Sequence, residues 1–224
     1  MQELDLEYSS GVEVSACKNY NRSNMYYVAK RSIDIIVSII GIVMLSPLML
    51  IISIYIKMSS EGNAIFSHIR LGYRGRYIKV YKFRTMVQNA EEVLKNMTPS
   101  EKKEFEENFK LENDPRITKV GRFLRKTSLD ELPQFFNVLI GNMTLVGPRP
   151  IVEAELVKYG EHGRKFLSVK PGVTGLWQVS GRSDTSYEER VILDMNYIDN
   201  RSLWMDLKIL FMTFIVVMKK DGAM

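Results

Sequence analysis

Asp130 and Glu131 are adjacent carboxylates, with Arg122, Arg125 and Lys126 just upstream and Pro133 just downstream. Ser128 and Glu131 have the spacing of a capping box, which predicts the pair in the first turn of a helix. Acidic residues are favoured there by the helix dipole, and a simple cap would account for that much. It would not account for cations within reach of a phosphate beside the acids, or for a proline that disturbs the regular turn. Nor would it account for Gly147-Pro148-Arg149-Pro150, which fixes a further arginine in stiff backbone. Carboxylates, a metal ion for them to bind, and arginines are the parts of a phosphoryl-transfer site.

The composition narrows the setting. A chain of 224 residues makes one large domain or two small ones, and 46% hydrophobic residues suffice for a core. A net charge of +5 suggests an anionic partner: nucleic acid, nucleotide or membrane surface. The single cysteine, Cys17, excludes an intrachain disulfide, and His68 and His162 alone argue against a histidine-based zinc centre. The basic run 121–126 belongs to no recognisable nucleic-acid motif and is not interleaved with stacking aromatics, so no nucleic-acid partner is expected.

The element that must position the acids relative to a membrane is the run Ile33 to Ile56, whose only charge is Asp34. At roughly 1.5 Å per residue it is long enough for ~30 Å of hydrocarbon. It begins too far into the chain for a secretory signal. Ser46-Pro47 lies in its middle, where proline removes a backbone hydrogen bond and bends a helix. Both flanks are basic, with Lys30 and Arg31 before and Lys57, Arg70, Arg74 and Arg76 after. Positive-inside logic then wants both ends on the cytoplasmic side. A re-entrant helix satisfies this; a single tilted span with a proline kink is the alternative, and residue physics leaves the two open.

Around this run, residues 1–24 read as a flexible tail. Residues 64–86 read as two strands about a glycine-rich turn. Lys82 and Arg84 share one strand face there, as candidates for substrate phosphate or as a solvated edge. Residues 87–112 read as charged helices, with Pro99 starting the second. Residues 121–126 read as a short basic helix, 168–182 as turns around a short strand, and 186–200 as a helix. Leu203 to Met218 has Trp204, Leu207, Leu210, Phe211, Phe214 and Ile215 at helical spacing. That is a helix at the membrane interface or one packed into the core.

Several motifs occur in order: Lys82-Phe83-Arg84-Thr85-Met86; Asp114-Pro115-Arg116-Ile117-Thr118; the run from Gly121 to Gln134; Val146 to Pro150; Lys170 to Arg182; and Trp204-Met205-Asp206-Leu207-Lys208. Together they resemble the bacterial sugar transferases, the monotopic polyprenyl-phosphate phosphoglycosyl transferases, over residues 25–220 and in the short, catalytic-domain form. The resemblance implies an α+β, mostly helical fold. It implies a re-entrant helix over 25–58 broken at Ser46-Pro47, and a catalytic domain over 59–224 on the cytoplasmic face of the bacterial inner membrane. It implies transfer of a sugar 1-phosphate from a UDP-sugar to undecaprenyl phosphate with release of UMP, and Mg2+ as cofactor. Such a reaction is the first membrane step of polysaccharide assembly, with downstream glycosyltransferases as possible partners. Asp130 falls at the family's nucleophile, and Glu131 at its dyad partner and metal ligand. Arg125, Arg149 and Arg182 match arginines of the cleft, while Asp206 matches a position with no role assigned. The segment 181–190 is similar to members that transfer galactose or glucose. The competing reading, a non-enzymatic membrane scaffold for glycosyltransferases or anionic lipid, explains the anchor and the charge but not an acid pair bracketed by arginines.

Overall fold

The computed structural model describes residues 22–98, 102, 111, 114–181 and 185–219. The tail and the helix expected to start at Pro99 therefore fall almost wholly outside the described residues.

The apolar run lies in one helix, α1 (Asn24–Ser59), capped by Ser23, whose Oγ accepts from the Tyr26 amide. Pro47 has no N–H to give the Val43 carbonyl, and Ser46 Oγ donates to that oxygen at 2.9 Å. The helix continues through the pair, so the expected break is a missing backbone bond and not a gap. Only one face of α1 is covered. In its first half Tyr26, Asp34 and Ser38 are buried, and in its second half Met49, Ile52 and Ile56. In the middle, Gly41 lies so close to the Phe135 ring that a Cβ would sit 3.2 Å from it. The other face leaves Ile36, Ile40, Val43, Met44, Leu50 and Ile51 exposed.

A hairpin follows, β1 (Ile65–Leu71) paired antiparallel with β2 (Tyr77–Phe83), with Phe66 opposite Lys82. After α2 (Ala90–Lys95), helix α3 (Lys119–Lys126) starts at Thr118, which accepts from the Gly121 amide at 2.9 Å. Gly121 is pressed against the hairpin's exit: a Cβ there would meet the Thr85 carbonyl oxygen at 1.9 Å. A 3-10 turn, Leu129–Glu131, carries the acids into α4 (Gln134–Ile140). Strand β3 (Thr144–Val146) pairs in parallel with β4 (Gly172–Thr174) across an intervening 3-10 stretch, Glu153–His162, and α5 (Gly163–Phe166). The remainder is helical: α6 (Leu176–Ser180), α7 (Tyr187–Asn200) and α8 (Leu203–Lys219).

The fold is thus mostly helical with two small sheets. The strand expected within 168–182 is only three residues long, and Leu176–Ser180 is a helix instead. Its partner β3 is equally short because the chain leaves at Gly147-Pro148. The two backbones also cross so closely that a Cβ on Gly172 would sit 2.2 Å from the Gly147 nitrogen. In α8 only a narrow face packs inward, with Asp206 and Ile209 buried. Trp204, Leu207, Phe211, Phe214 and Met218 form an apolar stripe on the outside. A helix with such a face suits a lipid interface better than a protein core.

The main core joins Val80, Val138, Met143, Val146, Tyr197 and Ile209. Asp194 is fully buried inside this layer, where its Oδ2 accepts from Tyr159 at 2.8 Å and its Oδ1 has no partner among the described residues. Burial pushes this carboxyl up to about 7, against the Tyr159 bond and the charge of Arg190. Between the ordinary carboxylate range and pH 7 the folded state then holds a proton that the unfolded chain has lost, so stability falls as pH rises through that window. Asp194→Asn should match the wild type near pH 4 and exceed its Tm by roughly 5 °C near pH 8. Thermal melts at both pH values check this; an equal gap at the two would reject it.

Candidate active site

The hairpin, the 3-10 turn and the loop after β3 converge on the two acids. Asn137, fully buried on α4, donates to Lys79 O at 2.6 Å and accepts from the Tyr81 amide at 2.9 Å. This staple lays α4 along β2, so that Lys82 reaches over the turn that precedes α4. Lys82 Nζ donates to Glu131 Oε1 at 2.7 Å and lies 3.9 Å from Asp130 Oδ2. Arg149, presented by the loop after β3, donates to the same Glu131 oxygen at 3.1 Å.

The expected capping box does not form. Ser128 has φ 56° and no side-chain cap bond, and Glu131 turns to the cations instead. Two cations, each charge-assisted, outweigh the one backbone amide that a capping box would offer this carboxylate. The consequence is two unlike acids. Burial would raise Glu131, but Lys82 and Arg149 and their hydrogen bonds outweigh it and hold the carboxyl down to about 2. Asp130 is only 7% exposed. Burial pushes it up, and the Glu131 charge adds to this against Lys82, Arg125 and Arg149. Glu131 is therefore a firmly ionised, tied anion, and Asp130 a buried acid with looser contacts.

Arg125 is braced by Thr85, whose Oγ1 accepts from its Nε at 3.0 Å, and its charge acts on Asp130. Arg84 departs from expectation. Its guanidinium donates to Ser60 O at 2.7 Å, to Ser60 Oγ and to Glu61 O, closing the C-terminal end of α1. The strand face it was to share with Lys82 ends at Phe83, and the last carbonyls of a helix draw a cation. Arg182 lies outside the described residues. Asp206 bonds not to the acids but to Lys30 of α1, at 2.8 Å. Asn137 carries no local signal, because its partners are distant in the chain. Arg70, in sequence a flank charge, pairs with Glu155 at 2.9 Å, and both carry charge felt at Arg149.

Among the described residues no three histidine, cysteine or acidic side chains gather as a metal cage. Magnesium does not need one. It takes one or two carboxylates and completes its shell with water and substrate phosphate oxygens, and the adjacent Asp130 and Glu131 offer that donor set.

The family model described as bacterial sugar transferase matches residues 25–220. The chain is 53% identical over 198 residues to the undecaprenyl-phosphate galactose phosphotransferase of Salmonella typhimurium, covering 87% of this chain and 41% of that protein. It is 41% identical to a UDP-glucose:undecaprenyl-phosphate glucose-1-phosphate transferase of Klebsiella pneumoniae, over 92% of this chain and 44% of that protein. The exopolysaccharide production protein ExoY of Sinorhizobium fredii is 44% identical, with 88% of each chain covered. The chain thus spans about two-fifths of the length of the longer relatives and most of the shorter one. With residues 25–220 matched by the family model, the chain belongs to the bacterial sugar transferase family.

Proposed function

We propose that the chain transfers hexose 1-phosphate, galactose or glucose, from a UDP-sugar to undecaprenyl phosphate, releasing UMP. The observation that carries this is the unequal acid pair: buried Asp130 beside a Glu131 clamped by Lys82 and Arg149. The Asp130 carboxylate attacks the β-phosphorus; a P–O bond forms to its oxygen and the bond to the bridging oxygen breaks, that oxygen leaving with UMP. The lipid phosphate then attacks the same phosphorus and frees Asp130. Splitting one transfer into two steps lowers each barrier. Lys82, Arg125 and Arg149 neutralise charge on the diphosphate and the leaving nucleotide. Mg2+, held by Asp130 and Glu131 when bound, adds to that neutralisation. Galactose and glucose phosphotransferases among the relatives support the hexose. Arg182 belongs to the nucleotide side of this reading by family resemblance alone.

The lipid acceptor requires the site to sit at headgroup level. The exposed apolar faces of α1 and α8 support a monotopic pose in which both dip into one leaflet and the catalytic body stays on the cytoplasmic face of the inner membrane. The test is membranes incubated with polyprenyl phosphate and a panel of radiolabelled UDP-sugars, with and without EDTA. Lipid-linked label from UDP-galactose or UDP-glucose, lost with EDTA, is expected; label from no UDP-sugar would leave only the scaffold. Arg149→Lys, which keeps the charge and loses the guanidinium fork, should lower kcat/KM for the UDP-sugar roughly 10- to 100-fold.

A further inference from the structure

Asp206 takes no part in the chemistry above, yet it is buried and heavily bonded. Its Oδ2 accepts from Lys30 Nζ at 2.8 Å and from the Tyr26 hydroxyl at 3.2 Å, both on α1. Its Oδ1 lies 2.7 Å from the Tyr197 hydroxyl on α7. Lys30 Nζ and the Tyr197 hydroxyl also each lie 2.9 Å from one further atom, the Val146 carbonyl oxygen. One helical turn along α1, Asp34 accepts from the Leu145 amide at 2.9 Å and from Thr144 Oγ1 at 2.7 Å. Every residue of β3 is therefore held by a charged side chain of the membrane helix, and Lys30 is in turn held by Asp206. The strand runs straight into Gly147-Pro148-Arg149-Pro150, and Arg149 is one of the two cations on Glu131.

We infer that Lys30, Asp34 and Asp206 form a clasp that sets the position of Arg149 by gripping β3, so that the seating of α1 in the membrane is coupled to the nucleotide side of the active site. The three are positioning residues, and their kinetic role rests on the function proposed for Arg149. A charge cluster of this kind is a costly way merely to stabilise a helix contact, since apolar residues of similar volume would serve as well or better. What it provides is direction: the bonds end on the backbone of one short strand. The loop beyond that strand has little slack, because Gly147 N donates to Thr174 O at 2.9 Å and Gly172 N to Pro148 O at 2.8 Å.

The experiment uses the full chain in nanodiscs, with Asp206→Asn, the double variant Lys30→Met with Asp206→Asn, and Asp206→Asn combined with Arg149→Lys. The first readout is hydrogen exchange over residues 144–149. Asp206→Asn should speed it about tenfold, the loss of roughly one charged hydrogen bond, while leaving the β1–β2 hairpin unchanged. Unchanged exchange over 144–149 overturns the proposal whatever the activity. The second readout is kinetic. Asp206→Asn should raise KM for the UDP-sugar about tenfold with kcat within about threefold. Combined with Arg149→Lys it should add less than about threefold to the larger single effect, because the two act through one contact. The double variant removes both buried charges, so Tm should recover while KM stays high, the Lys30 bond to the Val146 carbonyl being gone. Full additivity with Arg149→Lys, or recovery of KM together with Tm, would reduce the clasp to a structural contact. A wild type that uses no UDP-sugar would reject the assigned reaction, while the exchange arm would still decide whether the clasp grips β3.

Discussion

Asp130→Asn is expected to abolish transfer, with a loss of roughly 10^4-fold or more in kcat, the scale seen when a nucleophile is removed. Asparagine keeps the shape and the small exposure of the side chain but not the anionic oxygen. The contacts favour Asp130 over its neighbour as the proposed nucleophile. Glu131 Oε1 is tied to two cations, Lys82 at 2.7 Å and Arg149 at 3.1 Å, which leaves that oxygen unsuited to attack. Asp130 meets Lys82 only at 3.9 Å. The wild type should exchange labelled UMP into the UDP-sugar without any lipid acceptor and should carry a trappable phosphosugar; the Asn variant should do neither. A variant turning over at near wild-type rate, or a wild type with no such exchange, would mean direct attack by the lipid phosphate.

What could be read in the sequence was local or periodic. The membrane helix was visible because 24 residues hold a single charge, and α8 because its apolar residues recur at helical spacing. The acid pair stood out through its flanks. What could not be read depends on partners distant in the chain. Strand alternation put Lys82 and Arg84 on one face, but nothing in the alternation says that β2 stops at Phe83 beside the end of α1, where Arg84 is drawn off. The capping-box spacing of Ser128 and Glu131 failed for a related reason. Two cations from β2 and the β3 loop outbid a local cap, and Ser128 took a left-handed backbone instead. Asn137 and Asp34 are polar residues in largely apolar helices. Their roles as staples to β2 and β3 exist only once the helices are packed.

The topology of α1 yields the other large effect, and the chain carries its own probe. Straight, 36 residues of helix run roughly 54 Å, enough to cross a bilayer. Crossing would carry one end away from the catalytic body. Yet Lys30 and Asp34 near one end bond to β3 and α8, and Met49, Ile52 and Ile56 near the other pack with Phe83 and Leu124. Breaking the buried Lys30–Asp206 pair alone would cost about 3–5 kcal/mol. Cys17, the single thiol, precedes α1 in the sequence. With both ends of α1 on the cytoplasmic side, a membrane-impermeant maleimide should miss Cys17 in intact spheroplasts and label it after permeabilisation. The permeabilised sample must label before the intact one is read. Labelling of intact spheroplasts would establish a full span. Pro47→Leu restores the backbone donor to the Val43 carbonyl now served by Ser46. It should straighten the helix and move part of the population to a spanning state, with Cys17 labelled from outside. Transfer should fall in the same proportion, because each spanning molecule has lost the grip of α1 on the catalytic body.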